Sequence, residues 1–261
     1  MTIGMNPIMF ELGPVVLAWH GFLTFIAVAL ALLVTVKIAK REGILPDTIY
    51  SVSVWAIIGG IIGARVVHVI DYWSFYGSDP IRIIQLWNGG IAIYGAIVGG
   101  FISGAIYCVY AKIPVGKLAD LTAPGLLISM TVGRIGDIIN GEHLAVTTTM
   151  PWGFVYSHPD SLSNQHYGLT PSHPAILYEM LWNMAVLAII WPLRNRLRPH
   201  GMLFVLYGGL YSVGRFFISF LRVDKEYLFA FNQAQILAII VMAIAIPLLA
   251  FKTQLVVRSR S

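Results

Sequence analysis

Seven stretches of this chain stay apolar for about 20 residues, the length a helix needs to cross roughly 30 Å of hydrocarbon. They fall near residues 15–36, 51–70, 91–110, 119–139, 174–193, 202–221 and 233–251. A helix apolar around its whole circumference has no polar face to offer water. The 261 residues are 57% hydrophobic and 11% charged, against about 25% charged in a soluble domain. The expected fold is therefore all-α: a single polytopic bundle of about seven transmembrane helices over residues 1–261, with an external loop at about 140–173. The stretch at 119–139 is the least apolar, because Asp120, Arg134 and Asp137 lie in or near it.

Lysine and arginine mark the sides of the membrane. Lys37, Lys40, Arg41, Lys112, Lys117, Arg194, Arg196, Arg198, Lys252, Arg258 and Arg260 fall in one set of connecting segments, and only Arg82, Arg222 and Lys225 in the other. With seven spans this bias predicts an external N-terminus and a cytoplasmic C-terminus. The stretch from Asn140 to His173 holds no lysine or arginine, as a translocated segment should. The net charge of +5 is scattered in short clusters, which argues against a nucleic-acid partner. Cys108 is the single cysteine, so no internal disulfide forms. The opening MTIGMNPIMFELG has no basic stretch, so no cleaved signal peptide is expected.

Three arginines, Arg65, Arg134 and Arg215, fall inside predicted spans. A guanidinium at mid-bilayer costs at least roughly 2.5–3.5 kcal/mol, so each should face a partner or a wet cavity. Arg65 has candidate partners in Asp71 and Asp120. Arg134 opens the densest polar stretch, GRIGDIINGEH (Gly133–His143), which also carries Asp137, Asn140, Gly141, Glu142 and His143. A polar helix end explains Asn140 to His143 but not Arg134, two turns deeper. In SHPAILYE (Ser172–Glu179), His173 and Pro174 open a span, and Tyr178 and Glu179 lie more than one turn inside it. A carboxylate at that depth should be protonated or paired, and a buried arginine is the obvious partner. Tyr211 and Arg215 share one helix face at i, i+4, with Arg222 near the outer end. Two arginines from different helices can clamp one phosphate, since guanidinium meets phosphate oxygens in a bidentate fork. Glycines at spacings of three to five in IIGGIIGAR, NGGIAIYGAIVGGFISG and LYGGLYSVGR predict close helix packing.

These stretches resemble the bacterial prolipoprotein diacylglyceryl transferases. GRIGDIINGE resembles that family's GRxGNFxNGE signature and HPAILYE its HPxQLYE, with MPWG (Met150–Gly153), Gly214–Arg215, Phe216, Phe217 and Arg222 in the family's order. Weaker agreement lies in AWHG (Ala18–Gly21), GAR (Gly63–Arg65) and NGGIAIYG (Asn88–Gly95). The resemblance implies a seven-helix enzyme of the bacterial cytoplasmic membrane. Such an enzyme moves diacylglyceryl from phosphatidylglycerol to the lipobox cysteine thiol of a prolipoprotein signal peptide, forming a thioether and releasing glycerol phosphate. It implies catalytic roles for Arg134, Arg215 and Glu142. Arg65, Asp137, Asn140, Gly141, His173, Tyr178, Glu179, Tyr211 and Arg222 become candidates for substrate binding. No cofactor is implied, and no cluster in the sequence has metal-ligand spacing.

Several positions depart from the family's pattern. Asp137 stands for a usual asparagine, Leu144 and Ala145 for a frequent tryptophan and glycine, and Tyr94 for a histidine treated as a candidate base. His20 stands in AWHG where WYG is typical, so tyrosine and histidine look exchanged between the first and third spans. The hypothesis that follows is that His20 and Tyr94 line one cavity, with His20 taking the histidine's role. His68, one turn after Arg65, is a poorer candidate. The other readings are a non-catalytic relative that binds phospholipid or lipoprotein and a small-solute transporter; no inverted repeat supports the latter.

Overall fold

The structure, a computed structural model, describes residues 1–13 and 15–256. Arg258 and Arg260 of the expected cytoplasmic set lie outside the described residues. Seven long helices carry the apolar stretches: α1 (Trp19–Arg41), α2 (Pro46–Asp71), α3 (Ile93–Tyr110), α4 (Val115–Asn140), α5 (Ala175–Leu193), α6 (Met202–Ile218, prolonged to Leu221 by a tighter turn) and α7 (Gln233–Lys252). All seven are long and apolar enough to cross a membrane, which makes this a multi-pass membrane protein. The first span starts later than the sequence suggests, because Val15–Ala18 pairs with Ile8–Leu12 as an antiparallel hairpin. Short strand pairs of this kind lie between the helices, where backbone groups would otherwise go without partners.

Local chemistry fixes the helix ends. Pro46 opens α2, where its missing N–H costs nothing. Lys40 and Arg41 sit in the last turn of α1, against the negative end of its dipole. Asn232 and Gln235 form a reciprocal capping box on α7, with bonds of 3.0 and 2.9 Å. Asp120 is a cap at a distance: one carboxylate oxygen accepts from Gly201 N at 2.7 Å and the other from Phe204 N at 2.9 Å. It thus satisfies the start of α6 and explains an acid inside an apolar span.

The chain divides into two compact units, Val36–Leu118 and Met1–Thr35 with Ala119–Ser261. In the first unit, α2 and α3 meet along a seam of glycines. A Cβ on Gly63 would lie 2.9 Å from Gly99 Cα, and one on Gly59 2.7 Å from Gly99 O, so the two backbones touch. Arg65 faces the loop that enters α3. All five of its N–H donors go to backbone carbonyls: Ile83 O (2.7 Å), Gly89 O and Gly90 O (2.7 Å each), Gln85 O (3.3 Å) and Arg82 O. Its guanidinium also lies 5.0 Å from the Tyr76 ring centre. The expected pairing with Asp71 or Asp120 is therefore replaced by a carbonyl cage. Every donor is spent on shaping residues 82–90, and none is left for a substrate. His68 packs between Tyr72 and Tyr76.

In the second unit a buried cluster of Ala123, Leu127, Val186, Ile190, Leu197, Met202 and Leu203 ties α4, α5 and α6 together. The stretch expected as an external loop is folded rather than loose. Val155–Tyr156 pairs in parallel with Thr2–Ile3, Leu162–Tyr167 forms a short helix, and Val146 and Leu144 bond to Leu221 and Val223 after α6. Ala145, Phe154, Tyr156, Ser161 and Ser172 are buried there.

The glycine seam generates a stability prediction. Gly99→Val forces side-chain atoms into the α2 backbone, an overpacking cost of about 1–3 kcal/mol. It should lower the thermal midpoint in detergent by roughly 5 °C. Gly21→Ala, whose new Cβ meets nothing within 4 Å, should leave that midpoint within about 2 °C.

Candidate active site

Glu179 stands in the second turn of α5, with its side chain 3% exposed. An isolated carboxylate there would be neutral or prohibitively costly. Arg134 from α4 places Nη2 2.7 Å from Oε2, Arg215 from α6 bonds Oε1, and Arg222 beyond α6 places Nη1 3.4 Å from Oε1. One carboxylate thus gathers three guanidiniums from separate parts of the chain.

A second carboxylate extends the cluster. Asp137, one turn after Arg134, offers Oδ2 to Arg134 Nη1 at 2.7 Å and to His143 Nε2 at 3.3 Å. Its Oδ1 lies 2.6 Å from Nδ1 of His20 on α1, and Glu142 Oε1 lies 3.0 Å from that same nitrogen. His143 Nδ1 lies 3.0 Å from Arg222 Nη2. Arg134 Nη1 also lies 3.4 Å from Nε2, but the shorter guanidinium contact is at Nδ1 and only Nε2 faces a carboxylate, so Nδ1 is assigned as acceptor and the ring proton to Nε2.

The arginines differ in what they have left to give. Arg222 is the most engaged, bonding Glu179, His143 and Asp224 (3.1 Å). Arg134 divides its two terminal nitrogens between Asp137 and Glu179. Arg215 makes one hydrogen bond among the described residues, to Glu179, and keeps its other donors for a ligand. Asp224 pairs with Arg222 and Glu142 with His20, so what sets Arg215 apart is its open donors rather than a surplus of charge. An anion bound there would meet the remaining donors of Arg215 and Arg134.

The folded segment that follows α4 packs against this cluster. Gly141 takes a φ of +60°, and a Cβ there would strike Ser161 Oγ and the Tyr156 ring, so the chain turns only because no side chain is present. Burial pushes the Tyr156 phenol well above its ordinary pKa, and the Asp137 charge adds to it, so this group stays a neutral hydroxyl. Asn140 Oδ1 and His173 Nδ1 are buried without partners among the described residues. Tyr178 OH accepts from Trp152 Nε1 at 2.8 Å, and Tyr211 lies against Tyr207.

Of the residues singled out in the sequence, His20, Arg134, Asp137, Glu142, Glu179, Arg215 and Arg222 come together in one cluster. Arg65 and Tyr94 belong to the other compact unit, where Tyr94 is half-buried in the first turn of α3. His143, Asp224 and Trp152 are additions. His143 lies in the polar stretch that drew attention to Arg134 and Asp224 only two residues past Arg222, but neither position announces a partner. The fold also collects three groups able to ligate a metal, bringing His20 from the first span to Asp137 and Glu142.

Seven spans and an arginine-rich cluster open at Arg215 define a membrane protein suited to holding an anionic group. A profile described as prolipoprotein diacylglyceryl transferase matches residues 7–251. The chain is 38% identical over 251 residues to a phosphatidylglycerol--prolipoprotein diacylglyceryl transferase of Limosilactobacillus reuteri, covering 95% of this chain and 91% of that one. It is 35% identical over 257 residues to one of Nostoc sp. (94% and 89%) and 34% over 250 residues to one of Bacillus licheniformis (95% and 93%). This chain belongs to the prolipoprotein diacylglyceryl transferase family.

The cluster predicts unequal costs for its acids. Glu179→Gln leaves three guanidiniums around a neutral group. Breaking a buried pair costs about 3–5 kcal/mol, so the thermal midpoint should fall by roughly 10 °C. Asp79→Asn, which breaks an exposed pair with Arg82, should cost less than about 1 kcal/mol. Calorimetry or a dye-based melt of both variants checks the contrast.

Proposed function

We propose that this chain transfers the diacylglyceryl group of phosphatidylglycerol to the lipobox cysteine of prolipoprotein signal peptides, in the bacterial cytoplasmic membrane. The observation that carries the reading is the Glu179-centred arginine cluster, with Arg215 holding unspent donors. Family membership and the relatives' names support the reaction.

In the reaction the cysteine sulfur attacks the glycerol carbon that bears the phosphate ester. A C–S bond forms, the C–O bond breaks, and the oxygen leaves with its electron pair on glycerol phosphate. The phosphate begins with one negative charge and ends with two, while the thiol proton goes to an acceptor. Charge therefore grows where Arg215 and Arg134 point. Donors fixed before the reaction, in a site that excludes water, stabilise that growth without reorganising. Glu179 sets their positions, and Arg222 and His143 hold Glu179 and Asp137 in turn. Asn140, Gly141 and Glu142 line the outer end, and His173, Tyr178 and Tyr211 are candidates for contact with lipid or peptide. The folded segment between Asn140 and His173 suits contact with a signal peptide arriving from outside, given the orientation that lysine and arginine predict.

Expression in a transferase-depleted bacterium, with thioether formation on a lipobox peptide as readout, tests the reading. The wild-type chain should restore growth and product. Arg215→Ala and Arg134→Ala should each reduce turnover at least about 100-fold, as loss of a preorganised charge-stabilising donor does. Arg215→Lys should recover little of it, because an ammonium lacks the fork. Full turnover in both alanine variants contradicts the mechanism. A cytoplasmically active reporter fused to the C-terminus should be active, and one fused to the N-terminus inactive.

A further inference from the structure

The reaction proposed above needs an acceptor for the thiol proton, and His20 is the nitrogen base in the cluster with an open lone pair. Arginine has no lone pair to accept with. Glu179 is claimed by three guanidiniums. His143 has Nδ1 on Arg222 and Nε2 on Asp137. Tyr156 is a neutral phenol held high by burial. His20 differs. Its Nδ1 faces two carboxylates, Asp137 at 2.6 Å and Glu142 at 3.0 Å. Two acceptors on one ring nitrogen place the proton there, which turns the lone pair of Nε2 outward. Nε2 has no partner among the described residues, and the side chain is 45% exposed.

The backbone is built for this meeting. A Cβ on Gly136 would lie 2.7 Å from His20 Cα and 3.3 Å from Trp19 O. Only a residue without a side chain at 136 lets α1 come this close to α4, and the next residue is Asp137. A buried carboxylate that fixes the tautomer of a half-open imidazole is the arrangement that activates a nucleophile in many unrelated sites.

We infer that His20 is the proton acceptor for the attacking thiol and that Asp137, assisted by Glu142, is its positioning residue; this rests on the function proposed above. The S–H proton passes to His20 Nε2, the thiolate forms the C–S bond, and the proton leaves to solvent after glycerol phosphate departs. Two positions where this sequence departs from the family's pattern, His20 and Asp137, thereby become one device. The competing occupant of the same three groups is a divalent cation. Arg134, 2.7 Å from the other oxygen of Asp137, opposes a second positive centre there.

The experiment uses the full chain in phosphatidylglycerol-containing nanodiscs, with a lipobox peptide carrying either cysteine or selenocysteine. The selenol is already ionised at neutral pH and needs no base. With cysteine at pH 7, His20→Gln should lower kcat/KM about 100-fold, the scale of a lost general base. The deficit should shrink at least tenfold by pH 9.5, beyond the thiol's ordinary value near 8.5. With selenocysteine it should fall to roughly threefold or less at pH 7. Asp137→Asn and Gly136→Val should show smaller deficits with the same nucleophile dependence, each variant eluting and melting as a folded protein. Full activity in His20→Gln overturns the inference, as does a deficit equal for both nucleophiles and at both pH values. Activity lost to a chelator and restored by zinc also overturns it, in favour of the cation. Product from the wild-type chain with any of these results leaves the transferase reading intact; no product from the wild-type chain overturns both.

Discussion

A buried carboxylate must be neutral or paired, and Glu179 is paired three times over. The rest of the site follows from that requirement. Arg134, Arg215 and Arg222 come from α4, α6 and the chain beyond it, and none could remain charged at that depth alone. Glu179 makes their presence tolerable and sets their directions, and Asp137 and His143 lock two of them further. The arrangement does not use every donor: Arg215 makes one hydrogen bond among the described residues. A cluster that only stabilised the fold would have no reason to leave that guanidinium open. Arg65 supplies the contrast within the same chain: more deeply buried, it gives every N–H to a carbonyl and has no donor left.

The spans were legible because crossing hydrocarbon demands length and apolarity, and both are local properties. Glu179 and Arg134 stood out for the same reason, as charges where charge is expensive. Partners were not legible, because a buried ion announces its need for a counter-ion but not where that counter-ion lies. Arg65 had candidate partners in Asp71 and Asp120 and meets carbonyls, while Asp120 caps α6. Both groups satisfy the same physical demand by a different route. The meeting of His20 with Asp137 across 117 positions depends on helix packing, and its signal in the sequence, Gly136, is one glycine among many.

The departures from the family's pattern read differently once the site is assembled. A histidine in α1 and an aspartate in α4 look unrelated in the sequence, yet each gives the other a purpose. An asparagine at 137 could accept a hydrogen bond from imidazole but could not stabilise a positive ring. Tyr94, in the other compact unit, is then free of the need to carry a base.

The central claim is that the guanidinium left open by the Glu179 cluster receives the phosphate. The most direct measurement is the affinity of the solubilised chain for glycerol phosphate, followed by phosphorus NMR in wild-type protein and in folded Arg215→Ala. The account predicts binding weakened at least about tenfold in the variant, the loss of one charge-assisted contact. Equal affinity in the two proteins would contradict it.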